Sequence, residues 1–128
     1  MAQVIEGLKY TEDHEWISLE GNIATIGITD FAQSSLGDIV FVELPEEGET
    51  LEASNSFGVV ESIKSVSDLY TPISGKVIEK NNTVEEGPET LNDDAYGSWL
   101  IKIELSNKSE LDALMDSKAY TEYCEANS

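Results

Sequence analysis

The stretch "VVESIKSVSDLY" (residues 59–70) decides the fold reading. The run Phe57-Gly58-Val59-Val60 leads into Lys64, and Leu69-Tyr70 leads out of it. Ser65 and Ser67 are the small polar residues expected to make a tight reversal there. Two strand-like arms then form a hairpin with Lys64 at its tip. Beyond Pro72 and Gly75, "GKVIEKN" (75–81) resumes extended structure and loosely repeats "GVVESIK" (58–64), as related strands of one sheet pair would.

Upstream, "EWISLEGNIATIGI" (15–28) reads as two strands around Glu20-Gly21-Asn22. "TDFAQSSLGD" (29–38) reads as a short helix, with Asp30 as its cap, Gln33 three residues on and Gly37 at its exit. "DIVFVELP" (38–45) has apolar residues on both faces and is expected to be a well-buried strand ended by Pro45. "GETLEASNSFGVVESI" (48–63) supplies a turn, a short strand and a further buried strand.

"TVEEGPETLNDDAYGS" (83–98) is rich in turn formers and reads mostly as loop. In "WLIKIEL" (99–105), Leu100, Lys102 and Glu104 alternate against Ile101, Ile103 and Leu105, a strand signature. The period then changes. Leu111, Leu114, Met115, Ala119 and Tyr123 recur at spacings of three and four, giving a helix over about 109–125, with Ser109 and Asp112 as a capping box. The sum is a β-rich core, a sandwich or flattened barrel, with a short internal helix and a terminal one.

At 128 residues the chain suits one domain, 1–128, able to bury a core without disulfides. Seven lysines and no arginine against 26 acids give a formal charge of −19. No basic patch is available to displace counterions from nucleic acid, and an anionic membrane surface is equally unfavourable. The charge serves solubility or steers the protein to positive docking faces. The N-terminus has neither a secretory nor a transit-peptide profile, so a bacterial-type cytoplasmic protein, or a mature organelle protein, is expected. Cys124 has no basic neighbour in sequence and reads as a structural thiol.

Catalytic groups are sparse. His14 is the only histidine, and no phosphate-binding glycine motif occurs. In "TEDHEW" (11–16), Glu12, Asp13, His14 and Glu15 are adjacent, but in an extended strand at most two share a face. A hydrogen-bonded His14 is therefore the preferred reading, with no metal and no catalytic residue assigned. An acidic hydrolase using surface carboxylates remains an alternative without a motif. Lys64 is either a solubilising charge or an attachment point that an enzyme can reach around. A Schiff-base lysine needs a dry pocket, which a hairpin tip lacks.

Several segments resemble the H proteins of the glycine cleavage system. They are "KYTEDHEW" (9–16), "ATIGITDFAQSSLGDIVFVELPEEG" (24–48), "ESIKSVSDLYTPISGKVIEKN" (61–81), "WLIKI" (99–103) and "AYTEYCE" (119–125). The resemblance implies the hybrid barrel-sandwich of lipoyl and biotinyl domains, with a central lipoyl-binding region at about 23–104. It implies lipoic acid in amide linkage to Lys64, and positions read by lipoyl-attaching enzymes at Glu61 and Gly75. Glu15, Asp68, Thr71 and Asp13 match positions at a cleft that shelters the aminomethyl-loaded lipoyl arm. A biotinyl domain would usually set its lysine between two methionines, whereas Ile63 and Ser65 flank Lys64.

The implied function is that of a non-catalytic carrier. It would take an aminomethyl group from glycine decarboxylase, a pyridoxal-phosphate enzyme, to the aminomethyltransferase, and reducing equivalents to dihydrolipoamide dehydrogenase. A further implied role is lipoyl donation to 2-oxo acid dehydrogenases. One departure stands out. The family usually has proline before the late Tyr-Gly and glycine before the tryptophan, where "NDDAYGSWL" (92–100) carries Ala95 and Ser98 and is one residue shorter.

Overall fold

β2 (Glu15–Glu20) and β3 (Ile23–Ile28) pair antiparallel, and Glu20 opposite Ile23 closes a two-residue turn. β3 also pairs with β9 (Ile101–Leu105), and β9 with β8 (Gly75–Lys80). β1 (Lys9–Tyr10) and β5 (Thr50–Leu51) complete a six-stranded sheet in the order β1-β2-β3-β9-β8-β5. A second sheet has the order β4-β6-β7, from β4 (Ile39–Glu43), β6 (Ser56–Ser62) and β7 (Val66–Tyr70). This architecture comes from a computed structural model that describes residues 3–127. The similar segments 58–64 and 75–81 thus fall in different sheets.

The core lies between the sheets. Ile17, Ile26, Ile101 and Ile103 from the larger sheet meet Val42, Val60 and Leu69 from the smaller, all buried. Each such side chain, taken out of water, stabilises the fold by about 1.5–3 kcal/mol before entropy is counted. Period-two alternation in β9 aims Ile101, Ile103 and Leu105 inward and leaves Glu104 exposed. Leu100 is buried too, because it precedes the strand and its amide bonds to Ile26 O.

β4 departs from the sequence expectation. Ile39 and Val42 are buried, yet Val40 and Phe41 are 56% and 44% exposed. A register shift against β6 between Ile39 and Phe41 turns both consecutive apolar residues outward. The helix that follows β3, α1 (Asp30–Leu36), is capped by Thr29, not Asp30: Thr29 Oγ1 accepts from Ala32 N at 3.2 Å. Asp30 instead accepts from Gln33 Nε2 at 2.8 Å.

The late segment read as loop holds two short helices, α2 (Asn82–Glu86) and α3 (Thr90–Asp93), anchored by buried Val84 and Leu91. Ser98 hydroxyl donates to Thr90 O, and Trp16 Nε1 donates to Ala95 O, so the two residues that depart from the family pattern tie this segment down. The expected helix over 109–125 is broken. A 3-10 turn (Lys108–Ala113) starts under an Asn107 cap, and α4 (Ser117–Asn127) begins only after Met115 bridges to Tyr10. Asp116 Oδ1, accepting from Ala119 N, starts α4. A strand-like bridge at Met115 is incompatible with a continuous helix.

α4 seals a second apolar cluster. Tyr120 stacks on Tyr10 with centroids 4.5 Å apart and an interplanar angle of 5°. Trp16 joins them, and half-buried Cys124 packs at the edge.

Candidate functional site

The β6–β7 hairpin pairs antiparallel from Ser56 opposite Tyr70 to Glu61 opposite Val66, with a register shift between Ser56 and Gly58. Ser62 makes the reversal, a role the sequence reading gave to Ser65 and Ser67. Its amide donates to Ser65 O at 2.8 Å, and its hydroxyl accepts from Lys64 N and Ser65 N, each at 3.2 Å. Ser67 lies inside β7. Lys64 stands at the tip with Ile63, Ser65 and Val66, all exposed.

The tip rests on the α1–β4 junction. Ile63 N donates to Asp38 O at 3.0 Å. Gly37 (φ 79°) lies beneath the lysine stem, where a Cβ would stand 3.3 Å from Lys64 Cε. The two-stranded arm behind and this junction beneath support the exposed lysine, whose Nζ would stand 3.9 Å from the same Cβ.

Two clefts lie beside the hairpin. The smaller, about 190 Å³, is lined by Asp13, Glu15 and Asp68, with Ser67, Leu36 and Val60 among its walls. The larger, about 480 Å³, is lined by Asp13, Glu15 and Thr71, with Tyr70, Met115 and Tyr123. Asp13 and Glu15 therefore face both clefts, Asp68 only the smaller and Thr71 only the larger. Glu61 lines neither; it sits on β6, opposite Phe41 and Val66. Gly75 lines neither as well, and is buried in the larger sheet between Leu51 and Leu105.

Glu15 is only 2% exposed. Its Oε2 accepts from Tyr70 N at 3.0 Å, while Oε1 is buried with no hydrogen-bond partner among the described residues. Burial pushes its carboxyl up to about 8; the Tyr70 amide opposes the shift and the nearby Asp13 charge adds to it. Thr71 is more committed. Its hydroxyl donates to Ile73 O at 2.6 Å and accepts from Ile73 N at 3.3 Å, so it closes the turn after β7. Asp68 is exposed, with the Tyr70 hydroxyl 3.5 Å from Oδ2.

The residues before Glu15 form a turn, not the extended strand expected for 11–16. His14 sits at φ 64° and accepts no place in β2. Its Nδ1 is 2.8 Å from Tyr120 Oη, and its ring stacks on Phe31 at 4.3 Å. Burial lowers its pKa, against the pull of Asp13. Among the described residues, no group of three or more His, Cys, Asp or Glu side chains is placed to hold a metal.

The sequence reading missed Tyr70, Met115 and Tyr123 as cleft walls. Tyr70 contributes a backbone amide, which no side-chain pattern advertises. Met115 and Tyr123 come from the far end of the chain.

The sequence model of the family described as "Glycine cleavage H-protein" matches residues 8–127. The chain belongs to this family. A glycine cleavage system H protein of Symbiobacterium thermophilum is 59% identical over 121 residues, covering 94% of both chains. That of Alkaliphilus oremlandii is 54% identical over 123 residues, covering 96% of this chain and 97% of the relative. The crystal structure of a glycine cleavage system H protein from Mycobacterium marinum superposes with a TM-score of 0.85 at 39% identity, covering 97% of this chain and 98% of that one. Family membership supports a carrier role in glycine cleavage and agrees with the mainly β, sandwich-like fold. No helix among the described residues is long and apolar enough to cross a membrane.

Proposed function

We propose that this chain acts as a single lipoyl-carrier domain of the glycine cleavage system, with Lys64 as the lipoyl attachment residue. The observation that carries the reading is an exposed lysine amine at the tip of a paired hairpin, seated on Gly37 and Asp38. An attaching enzyme needs the amine clear of the fold, and a tethered group needs a rigid base from which to swing. The lipoyl group, when bound, supplies a disulfide that accepts the aminomethyl unit and electrons and is later reoxidised.

The residues beside the hairpin suit such a group. Asp68 is four residues from Lys64, at most about 13 Å of extended chain, so the smaller cleft opens within the hairpin's own length. Glu15 Oε1, buried and unpartnered, can accept a charge-assisted hydrogen bond from a cationic amine. Asp13 faces both clefts and adds negative potential. Thr71 shapes the larger cleft by fixing the turn after β7. Glu61 and Gly75 are the positions assigned to recognition by lipoyl-attaching enzymes.

The carrier itself holds no catalytic residue in this reading. Glycine decarboxylase with its pyridoxal phosphate, the aminomethyltransferase and dihydrolipoamide dehydrogenase are the partners, in a cytoplasmic setting. Donation of lipoyl groups to 2-oxo acid dehydrogenases would use the same lysine.

The test is intact mass and peptide mapping after incubation with a lipoate ligase, ATP and lipoate. One lipoyl addition confined to Lys64 is expected. No addition, with the ligase active on another lipoyl domain, overturns the reading.

A further inference from the structure

Asn92, on α3, is bonded three ways to the segment on which the lysine hairpin rests. Its Oδ1 accepts from Ile39 N at 2.9 Å, and its Nδ2 donates to Gly37 O at 2.8 Å and to Gln33 Oε1 at 3.0 Å. The backbone partners fix the amide orientation, because an N–H can only donate and a carbonyl can only accept. The amide therefore spans the end of α1 and the start of β4, gripping residues 37 and 39 from one side.

Residues 37 and 38 meet the hairpin from the other side. Asp38 O accepts from Ile63 N, and Gly37 lies beneath the Lys64 stem. Ile39 also pairs with Ser62, the residue that makes the reversal. The connection from Asn92 to Lys64 is thus a short, continuous path: side-chain amide, junction backbone, hairpin tip. The buried Ile39 side chain anchors the far end of the junction. Gly37 itself is at positive φ, a conformation with no steric preference of its own to keep it, although Gly37 N also donates to Gln33 O as the end of α1.

We propose that Asn92 is a positioning residue for Lys64. It holds the Gly37–Ile39 junction in the one conformation that presents the hairpin tip at a fixed height and direction, and so sets how the lysine meets the enzyme that modifies it. The lipoyl aspect rests on the function proposed above; the bracing itself does not.

The direct measurement is NMR-detected hydrogen exchange of the Ile63 amide, which reports whether the tip stays seated on Asp38. In Asn92→Ala that amide should exchange about tenfold faster, while Ile26 and Ile101 in the larger sheet keep their relative protection. Attachment of lipoate to Lys64 by a lipoate ligase should fall about tenfold in kcat/KM. Acetylation of Lys64 by a small reagent should be unchanged, since that needs exposure alone. Asn92→Asp, which keeps the Ile39 contact but sets an oxygen against Gly37 O, should show the same signs and serves if the alanine variant does not fold.

Val84→Ala is the control, removing buried apolar volume from α2 while leaving the hydrogen bonds of Gly37 and Ile39 to Asn92 in place. An Ile63 exchange rate unchanged in both Asn92 variants, or raised equally in Val84→Ala, overturns the proposal. Failure of the wild type to accept lipoate would count against the proposed function, and the Ile63 exchange would still decide the bracing.

Discussion

Glu15 and Tyr70, 55 positions apart, are joined by one hydrogen bond: the Tyr70 amide donates to Glu15 Oε2 at 3.0 Å. The bond ties the start of β2, in the larger sheet, to the end of β7, in the smaller. It leaves the second carboxyl oxygen of Glu15 buried and without a hydrogen-bond partner among the described residues. A buried carboxyl held in this way prefers its proton.

That preference makes stability depend on pH. The Glu15 carboxyl titrates near 8 in the folded chain against an ordinary value of 4.5. The folded state therefore binds this proton more tightly, so the stability contributed by this carboxyl is fully present below about pH 4.5 and is lost as pH rises through about 8. Glu15→Gln keeps an acceptor for Tyr70 N and carries no charge. Its stability relative to wild type should increase between pH 5 and pH 9, by an amount on the order of 4 kcal/mol, measured by urea denaturation at both values. Parallel pH profiles for the two proteins would show that the Glu15 carboxyl is as well solvated as one in water.

The Tyr120 hydroxyl lies 2.8 Å from His14 Nδ1 and 2.7 Å from Thr29 Oγ1. Thr29 already accepts from Ala32 N, so each hydroxyl is satisfied when Thr29 donates to Tyr120 and Tyr120 donates to His14. Tyr120→Phe keeps the stack on Tyr10 but strips partners from two groups. It should cost about 1–3 kcal/mol. For a chain of this size the thermal midpoint should drop by about 4 °C or more. An unchanged midpoint would mean that α4 is held by ring packing alone.

Lys64→Ala separates function from fold. The side chain is exposed and has no hydrogen-bonded partner among the described residues, so stability should stay within about 0.5 kcal/mol of wild type. Lipoyl attachment should vanish, and reconstituted glycine decarboxylation should fall to background. Activity equal to wild type would remove Lys64 from the carrier role.

Much of the fold was legible because its signals are local. The alternation of Ile101, Ile103 and Leu105 against Glu104 and the turn between β2 and β3 are set by neighbouring residues and appear as expected, although Leu100, expected on the opposite face, is buried. Val40 and Phe41 were misread because a register shift, not a hydropathy pattern, turns them outward. The helix expected over 109–125 is broken by a tertiary contact, the pairing of Met115 with Tyr10, that outweighs the helical period. At the site, Lys64 stood out through its place between two strand-like runs. The bracing by Gly37 and Asp38 did not, because it is made by backbone atoms and by a glycine stem contact.

Glu61 and Gly75 were matched to the same role, recognition by lipoyl-attaching enzymes, but the structure gives them different physical settings. A Cβ at Gly75 would strike Glu104 O and the Ile103 side chain, so the position admits only glycine for packing reasons. Glu61 is partly exposed on the hairpin, three residues before Lys64. Gly75→Ala should therefore destabilise the fold by about 1–3 kcal/mol through overpacking, and any loss of lipoyl attachment should track that loss. Glu61→Ala should leave the thermal midpoint within about 2 °C while slowing attachment. Initial rates of lipoylation, set beside thermal melts of each variant, separate the two. If Gly75→Ala melts like wild type yet is not modified, the glycine is read directly and its packing role is secondary.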